Sequence, residues 1–152
     1  MDLRSKKKLE YDKICGRLAA CTAFTCSREL AESLLPADNI DEARLLQKET
    51  DEARELLILY PDFTIGGARD IREELAMLEI GGILEPEALQ DIAATCYAAR
   101  KTRSFFSELK GKYQVLSGLG HSLIVLKSIE TAVERWPLHH GRRCARWGRR
   151  CE

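Results

Sequence analysis

The 152-residue sequence lacks any apolar run long enough to cross a membrane. Its longest runs cover residues 56–60 and 123–126, far below the roughly 20 residues that a membrane helix needs. The opening stretch MDLRSKKKLEYDK contains no apolar core of a secretory signal. We therefore expect a cytoplasmic protein without membrane contact, whose six cysteines are reduced thiols.

A net charge is also missing, because 24 Lys and Arg residues balance 24 Asp and Glu residues. The balance hides an asymmetry. Residues 1–135 hold 19 basic and 23 acidic side chains, a balance of −4, whereas residues 136–152 hold five arginines and one glutamate, a balance of +4. An acidic body does not indicate a strong nucleic-acid surface, but a basic tail does.

Motifs of catalysis are absent as well. The sequence contains no GK[ST] phosphate loop, no G-x-S-x-G and no H-E-x-x-H. The glycine pairs at 66–67 and 81–82 follow no predicted strand and indicate helix ends. We therefore predict a chain that is not an enzyme, with no catalytic residue, no cofactor-binding residue and no metal ligand.

The cysteines do not have the spacing of a zinc site. Cys15, Cys21 and Cys26 are separated by five and then four residues, and no second pair follows to complete four ligands. Cys96 lies on an apolar helix face, where a thiol packs as a small hydrophobic group. Packed or neutral thiols are the favoured interpretation.

Strand signals are lacking too, since no sustained alternation of apolar and polar residues occurs. Helix signals repeat instead, and the fold class is all-α. Asn39 with Glu42, and Asp70 with Glu73, have the spacing of capping boxes, and Pro86 suits a first helical turn. Glycines 111, 118 and 120 interrupt the segment before the last helix. About six helices are predicted, over residues 5–22, 27–35, 39–60, 70–80, 86–109 and 123–135.

The helix over residues 39–60 carries a heptad-like seam of small and apolar residues, spaced by three and four: Ala43, Leu46, Thr50, Ala53 and Leu57. The same helix contains the tetrapeptide DEAR twice. The two copies lie about 80° apart around the helix, so they do not form one acidic site. Local ion pairs on a solvated face are favoured instead, namely Asp41–Arg44, Asp51–Arg54 and Lys48–Glu52.

One basic and aromatic cluster stands out in the acidic body. Its cations are Arg100, Lys101, Arg103, Lys110 and Lys112, and Phe105, Phe106 and Tyr113 are interleaved with them. Arginine and lysine neutralise phosphates and aromatic rings stack on bases, so we take these cations as nucleic-acid-contact candidates. The alternative is a solvated basic face whose aromatic side chains turn inward.

The order of three segments resembles the N-terminal region of the second bacterial branch of the MutS family, the MutS-like ATPases that typically carry an Smr nuclease domain. The segments are LEYDKICGRLA, LLPADNIDEARLLQKETDEARELL and IGGARDIREELAMLEIGGILEPEALQDIAATCYAARKTRSFF. The resemblance covers about residues 9–135. It implies an elongated helical region of the core and lever type, truncated before the ATP- and Mg²⁺-binding motifs and the nuclease domain.

Residues 136–152, WPLHHGRRCARWGRRCE, depart from that family's pattern. Three interpretations stay open: a disordered frameshift product, an evolved basic tail, or a zinc knuckle of His139, His140, Cys144 and Cys151. The tail adds Arg142, Arg143 and Arg146 to the nucleic-acid-contact candidates. We expect residues 1–135 to form the folded region and residues 136–152 to lie outside it.

The resemblance implies a function for the complete family: binding of branched or mismatched DNA, restraint of recombination and, in some members, action on stalled ribosomes. For this chain it implies only a scaffold, with self-association through unfilled apolar surface. The arginines and tryptophans of residues 136–152 predict weak DNA binding in addition. The alternative is a standalone interaction module whose seam docks a partner helix. A third hypothesis is a small metal-binding regulator that uses the tail.

Overall fold

A computed structural model describes residues 3–22, 24–109 and 111–135. Within these ranges the chain is all-helical, as predicted, and contains no strand. Its eight helices are α1 (Leu3–Lys8), α2 (Tyr11–Ala20), α3 (Thr25–Glu32), α4 (Ile40–Leu59), α5 (Arg72–Glu79), α6 (Pro86–Glu108), α7 (Gln114–Ser122) and α8 (Lys127–Arg135). The tail that was expected to be disordered, residues 136–152, lies outside the described residues.

The chain divides into two compact units. The first contains the described residues up to Thr64 together with Phe106–Ser122, and therefore holds α1 to α4, the last turn of α6, and α7. The second contains Ile65–Phe105 and the described residues from Leu123 onward, and therefore holds α5, most of α6, and α8.

The first predicted helix is two helices, because the chain turns between α1 and α2. Glu10 adopts a left-handed conformation at this turn, with φ 51° and ψ 38°. The larger apolar side chains of this segment, Leu9, Ile14 and Leu18, are exposed, and the buried residues of α2 are Cys15 and Ala19. These side chains are small, so α2 and α3 pack closely, with Ala31 of α3 also buried.

The start of α4 agrees with the sequence signal. The Asn39 Oδ1 atom accepts a hydrogen bond from the backbone N–H of Glu42 at 2.8 Å, which satisfies one free donor of the first turn. The two acidic residues of that turn, Asp41 and Glu42, also suit the positive end of the helix dipole. The helix ends at Leu59, one residue before the predicted end.

The start of α5 differs from the predicted capping box. Ile71 occupies the N-cap position. Asp70 instead accepts from the backbone N–H of Arg72 at 3.3 Å and forms an ion pair with the Arg72 guanidinium at 2.5 Å. The glycine stop is present, since Gly81 has φ +76° and its N–H donates to the Leu78 carbonyl at 2.9 Å.

The glycine-containing segment between the last two predicted helices is itself a helix, α7, and both Gly118 and Gly120 lie inside it. Gly120 is buried, and a Cβ atom there would meet the Phe106 Cδ2 atom at 2.5 Å. This glycine therefore permits close packing of the phenyl ring and does not end a helix. The last helix, α8, correspondingly begins at Lys127 and not at residue 123.

In the described part of the chain, every helix is too short or too polar to cross a membrane.

Candidate nucleic-acid interface

The C-terminal half of α6 carries three of the proposed contact residues, Arg100, Lys101 and Arg103. Six positions of this helix are buried, and they cover a broad arc around its axis. They are Ile92, Ala93, Cys96, Ala98, Thr102 and Phe106. Of the three cations, Lys101 is exposed, whereas Arg100 and Arg103 are half-buried, and the three differ in what they contact.

Arg100 is held by a buried glutamate of α8. Its Nε and Nη2 atoms donate to the two carboxylate oxygens of Glu130 at distances of 2.8–3.1 Å, a bidentate arrangement. The side chain of Glu130 is only 7% exposed and that of Arg100 is 33% exposed. The guanidinium also lies 5.0 Å from the centre of the Tyr97 ring. Arg100 therefore compensates a buried charge.

Cys96 lies one helical turn before Arg100 and shares this environment. Burial raises the pKa of the Cys96 thiol, and the negative charge of Glu130 raises it further. The thiol is consequently a packed hydrophobic group, as its position on the apolar face of α6 predicted.

Arg103 also has an internal partner. Its Nη1 atom donates to the backbone carbonyl of Leu123 at 2.5 Å. Leu123 belongs to the segment that precedes α8, and its carbonyl lies outside any helix. The guanidinium therefore satisfies a backbone acceptor that the helices leave open.

Lys112 belongs to the first unit, where its Nζ atom lies 3.1 Å from a Glu55 carboxylate oxygen of α4. Two of the three aromatic side chains of the cluster, Phe106 and Tyr113, are buried and not exposed for stacking. Tyr113 is 1% exposed and Phe106 is buried, and Phe106 packs edge-to-face against Phe63 at 5.8 Å. Stacking of either ring on a base would require it to leave the interior.

Lys101 differs from its neighbours, because it is exposed and has no hydrogen bond or ion pair with another described residue. Lys110, Arg142, Arg143 and Arg146 lie outside the described residues. Nucleic-acid contact by this set therefore stays a prediction. Among its described members, Lys101 is the cation whose charge no internal partner offsets.

The duplicated DEAR segments give local ion pairs, as predicted. Arg44 lies 3.7 Å from Asp41, and Arg54 lies 3.5 Å from Asp51. Glu52, however, is not paired with Lys48. Its Oε2 atom accepts from the backbone N–H groups of Val115 and Leu116 at 2.9 and 3.0 Å, in the first turn of α7. No local pattern signals this contact, because its partners are more than 60 residues away.

The described residues hold no group of three or more side chains that are placed to bind a metal ion. The described cysteines Cys15, Cys21, Cys26 and Cys96 form no disulfide with one another. The four residues of the alternative zinc knuckle lie outside the described part of the chain, so that hypothesis stays open.

Comparison with known proteins finds relatives named Endonuclease MutS2. The protein of Pelotomaculum thermopropionicum is 37% identical over 134 residues, which cover 88% of this chain and 17% of the relative. The Geobacillus strain WCH70 protein is 35% identical over 144 residues, covering 93% of this chain and 18% of the relative. The Symbiobacterium thermophilum protein is 34% identical over 141 residues, with the same coverage. No protein-family model and no solved structure matches the chain.

Proposed function

Because this chain is homologous, over most of its length, to a segment of the proteins of the MutS2 branch of the MutS family, we propose that it is a helical scaffold segment and not a catalytic unit. It spans only about 17% of the length of those relatives. The name of these relatives, endonuclease, describes whole proteins. In this proposal, nuclease activity, ATP and Mg²⁺ binding, recognition of branched or mismatched DNA, restraint of recombination and any action on ribosomes belong to the complete protein.

The observation that carries the proposal is the amount of large apolar surface that the described helices leave in solvent. In the second unit, α5 has no buried residue, and Leu75, Met77 and Leu78 are each nearly half exposed. Ile83, just after α5, is 94% exposed. In the first unit, several aliphatic side chains of α4 are equally open. Exposed apolar surface on this scale is typical of a segment that packs against further protein.

A complementation experiment tests the scaffold role. The Pelotomaculum thermopropionicum relative is produced without the 134 residues that match this chain, and the chain is added in trans. We expect a stable complex, because the remainder should cover the exposed aliphatic residues of α5. Substituting Leu75 and Leu78 together by Glu should weaken the complex, whereas Glu73→Gln with Glu74→Gln on the same helix should not.

Two results would contradict the scaffold role. One is a chain that stays free in the presence of the remainder and unfolds cooperatively as a monomer, because a complete small domain needs no further protein. The other is nuclease or ATPase turnover by the purified chain alone, above that of a mock purification from the same host.

We further propose that this chain binds nucleic acid weakly and without sequence preference. Arg100 and Arg103 have internal partners and Lys112 forms an exposed ion pair with Glu55, so that Lys101 is the described candidate without an ion pair to another described residue. The remaining candidates are Lys110, Arg142, Arg143 and Arg146. Contacts of this kind neutralise phosphates and weaken as salt rises.

A second candidate function is a docking module. The seam of α4, defined by Ala43, Leu46, Thr50, Ala53 and Leu57, is not covered by the rest of its unit, since Leu46 is 42% and Leu57 is 51% exposed. An apolar stripe of this spacing suits a partner helix. A monomeric chain that unfolds cooperatively and binds such a helix would favour this function over the scaffold.

A further inference from the structure

We propose that the seam of α4 is a self-docking surface, on which α4 of a second copy of this chain packs in parallel and in register. The inference rests on the second candidate function, because it names the occupant of the seam. It does not depend on the scaffold role, which concerns the exposed residues of α5.

The position of the seam around α4 leaves room for another helix. At 100° per residue, its midline lies about 100° from the buried side chain of Leu56 and about 140° from Glu52, which contacts α7. The helix therefore packs on its own unit with one face and presents the seam on another. Ala43 and Ala53 on the seam have small side chains, which permit close approach of a second backbone.

The charges that flank the seam favour a second copy in parallel orientation. If Ala43 and Thr50 are heptad a positions, Glu49 is a g position and Arg54 is the following e position. In a parallel pair, Glu49 of each copy lies opposite Arg54 of the other, which gives two symmetric ion pairs. In an antiparallel pair, like positions face each other, so that glutamates would approach glutamates and arginines would approach arginines.

Both groups are available for that pairing. Glu49 is half-buried and has no ion pair with another described residue. Arg54 forms a 3.5 Å ion pair with Asp51, three residues earlier on α4, and both of these side chains are 74% exposed. The arginine can therefore turn to an acid on a second copy without loss of a buried contact.

The size of the seam sets the strength of the association. It covers about two heptads, roughly 21 Å of helix, and three of its five positions are Ala or Thr. Independent coiled coils need about three to four heptads. We therefore expect a reversible dimer that forms at concentrations on the order of 100 µM and above, not a permanent one.

Sedimentation velocity of the full chain, with circular dichroism to verify folding, tests the proposal. Glu49→Arg and Arg54→Glu should each weaken dimerisation by about fivefold to tenfold, because each replaces two attractions by two repulsions. An equimolar mixture of these two variants, with one labelled by a fluorophore, should dimerise as wild type does, since opposite charges then face each other. The double variant E49R/R54E should also dimerise by itself. Lys48→Glu, an equal change of charge away from the seam, is the matched control and should have little effect.

Several outcomes would overturn the proposal. A wild-type chain that is monomeric at about 300 µM would do so, because that concentration exceeds the expected dissociation constant. Association that is equally strong in all variants would indicate unspecific contact between aliphatic residues. A mixture that dimerises no better than its two components would exclude the parallel arrangement.

Discussion

Substitution of Arg100 by Met should destabilise the second unit more than any other change of a single exposed or half-exposed cation on α6. Methionine keeps the aliphatic stem and the helix propensity but removes the guanidinium. The carboxylate of Glu130, whose side chain is only 7% exposed in the intact pair, then loses its bidentate partner. An unpaired buried charge is costly, because the interior does not replace the water that the charge has lost.

The expected magnitude follows from the burial of the two groups. Removal of one partner from a fully buried pair costs about 3–5 kcal/mol. The Arg100 side chain, however, is 33% exposed, so water reaches the carboxylate once the guanidinium is gone. We therefore expect a loss of about 2 kcal/mol in the free energy of unfolding, which corresponds to a decrease of about 5 °C in melting temperature. Glu130→Gln keeps a hydrogen-bond acceptor without the charge and should cost only about 1 kcal/mol.

Urea unfolding followed by circular dichroism at 222 nm measures these values. Lys101→Met is the matched control, because Lys101 is adjacent, exposed and without an ion pair to another described residue. The double variant R100M/E130Q should be no less stable than R100M alone, since glutamine leaves no buried charge behind. The reasoning is refuted if Arg100→Met and Lys101→Met cost the same, or if the two substitutions in the double variant are simply additive.

Three further predictions concern packing, thiol chemistry and nucleic acid. In thermal melts, Gly120→Ala should destabilise the chain by about 1–3 kcal/mol, because the new methyl group displaces the buried ring of Phe106. A Cβ atom at Gly118 meets no neighbouring atom within 4 Å, so Gly118→Ala should be neutral or stabilising by up to about 1 kcal/mol. Iodoacetamide should modify Cys96 at least about tenfold more slowly than the exposed Cys21 at pH 8, as measured by peptide mass spectrometry, and equal rates would contradict the burial of Cys96. A chain ending at Arg135 should lose most low-salt DNA binding in fluorescence anisotropy yet keep its helix content, and unchanged binding would assign the contacts to residues 1–135.

The features predicted well from sequence are those that neighbouring residues determine. The N-cap of α4 requires only that Asn39 lie three residues before Glu42, and the end of α5 requires only a glycine with positive φ at position 81. The ion pairs of the DEAR segments are local in the same sense. These interactions form within one or two helical turns, so they do not depend on how the helices pack.

The predictions that differed from the structure depend on tertiary packing. As a glycine, Gly120 suggests a helix stop, yet it lies inside α7. The Phe106 ring occupies the space that a Cβ atom at this position would need. Glu10 has no strong turn propensity, yet it takes a left-handed conformation where α1 meets α2. Neither outcome follows from the residues nearby, because the partner that decides it is distant or belongs to another element.

The cations of the candidate interface show the same contrast between what neighbouring residues determine and what tertiary packing determines. From sequence alone, Arg100, Lys101 and Arg103 are all contact candidates, because each is a cation of the same basic and aromatic cluster. The structure separates them, because Glu130 lies 30 residues from Arg100 and the Leu123 carbonyl lies 20 residues from Arg103. Nothing in the α8 sequence distinguishes Glu130, which is buried, from Glu134, which is exposed. Long-range ion pairs of this kind are not recoverable from one sequence.

The sizes of the buried side chains connect these pairs to the proposed scaffold role. Much of the interior consists of small side chains, such as Ala19, Ala31 and Ala98, whereas Leu30 and Ile58 are at least 70% exposed. Small residues allow helices to approach closely, but each transfers little apolar area from water. Full burial of a leucine or isoleucine would contribute about 1.5–3 kcal/mol. The hydrophobic stabilisation of these larger residues is therefore unused in the chain alone, and it becomes available when further protein covers them. In the chain alone, removal of one partner from a specific polar contact such as Arg100–Glu130 should therefore cost a larger fraction of the total free energy of unfolding.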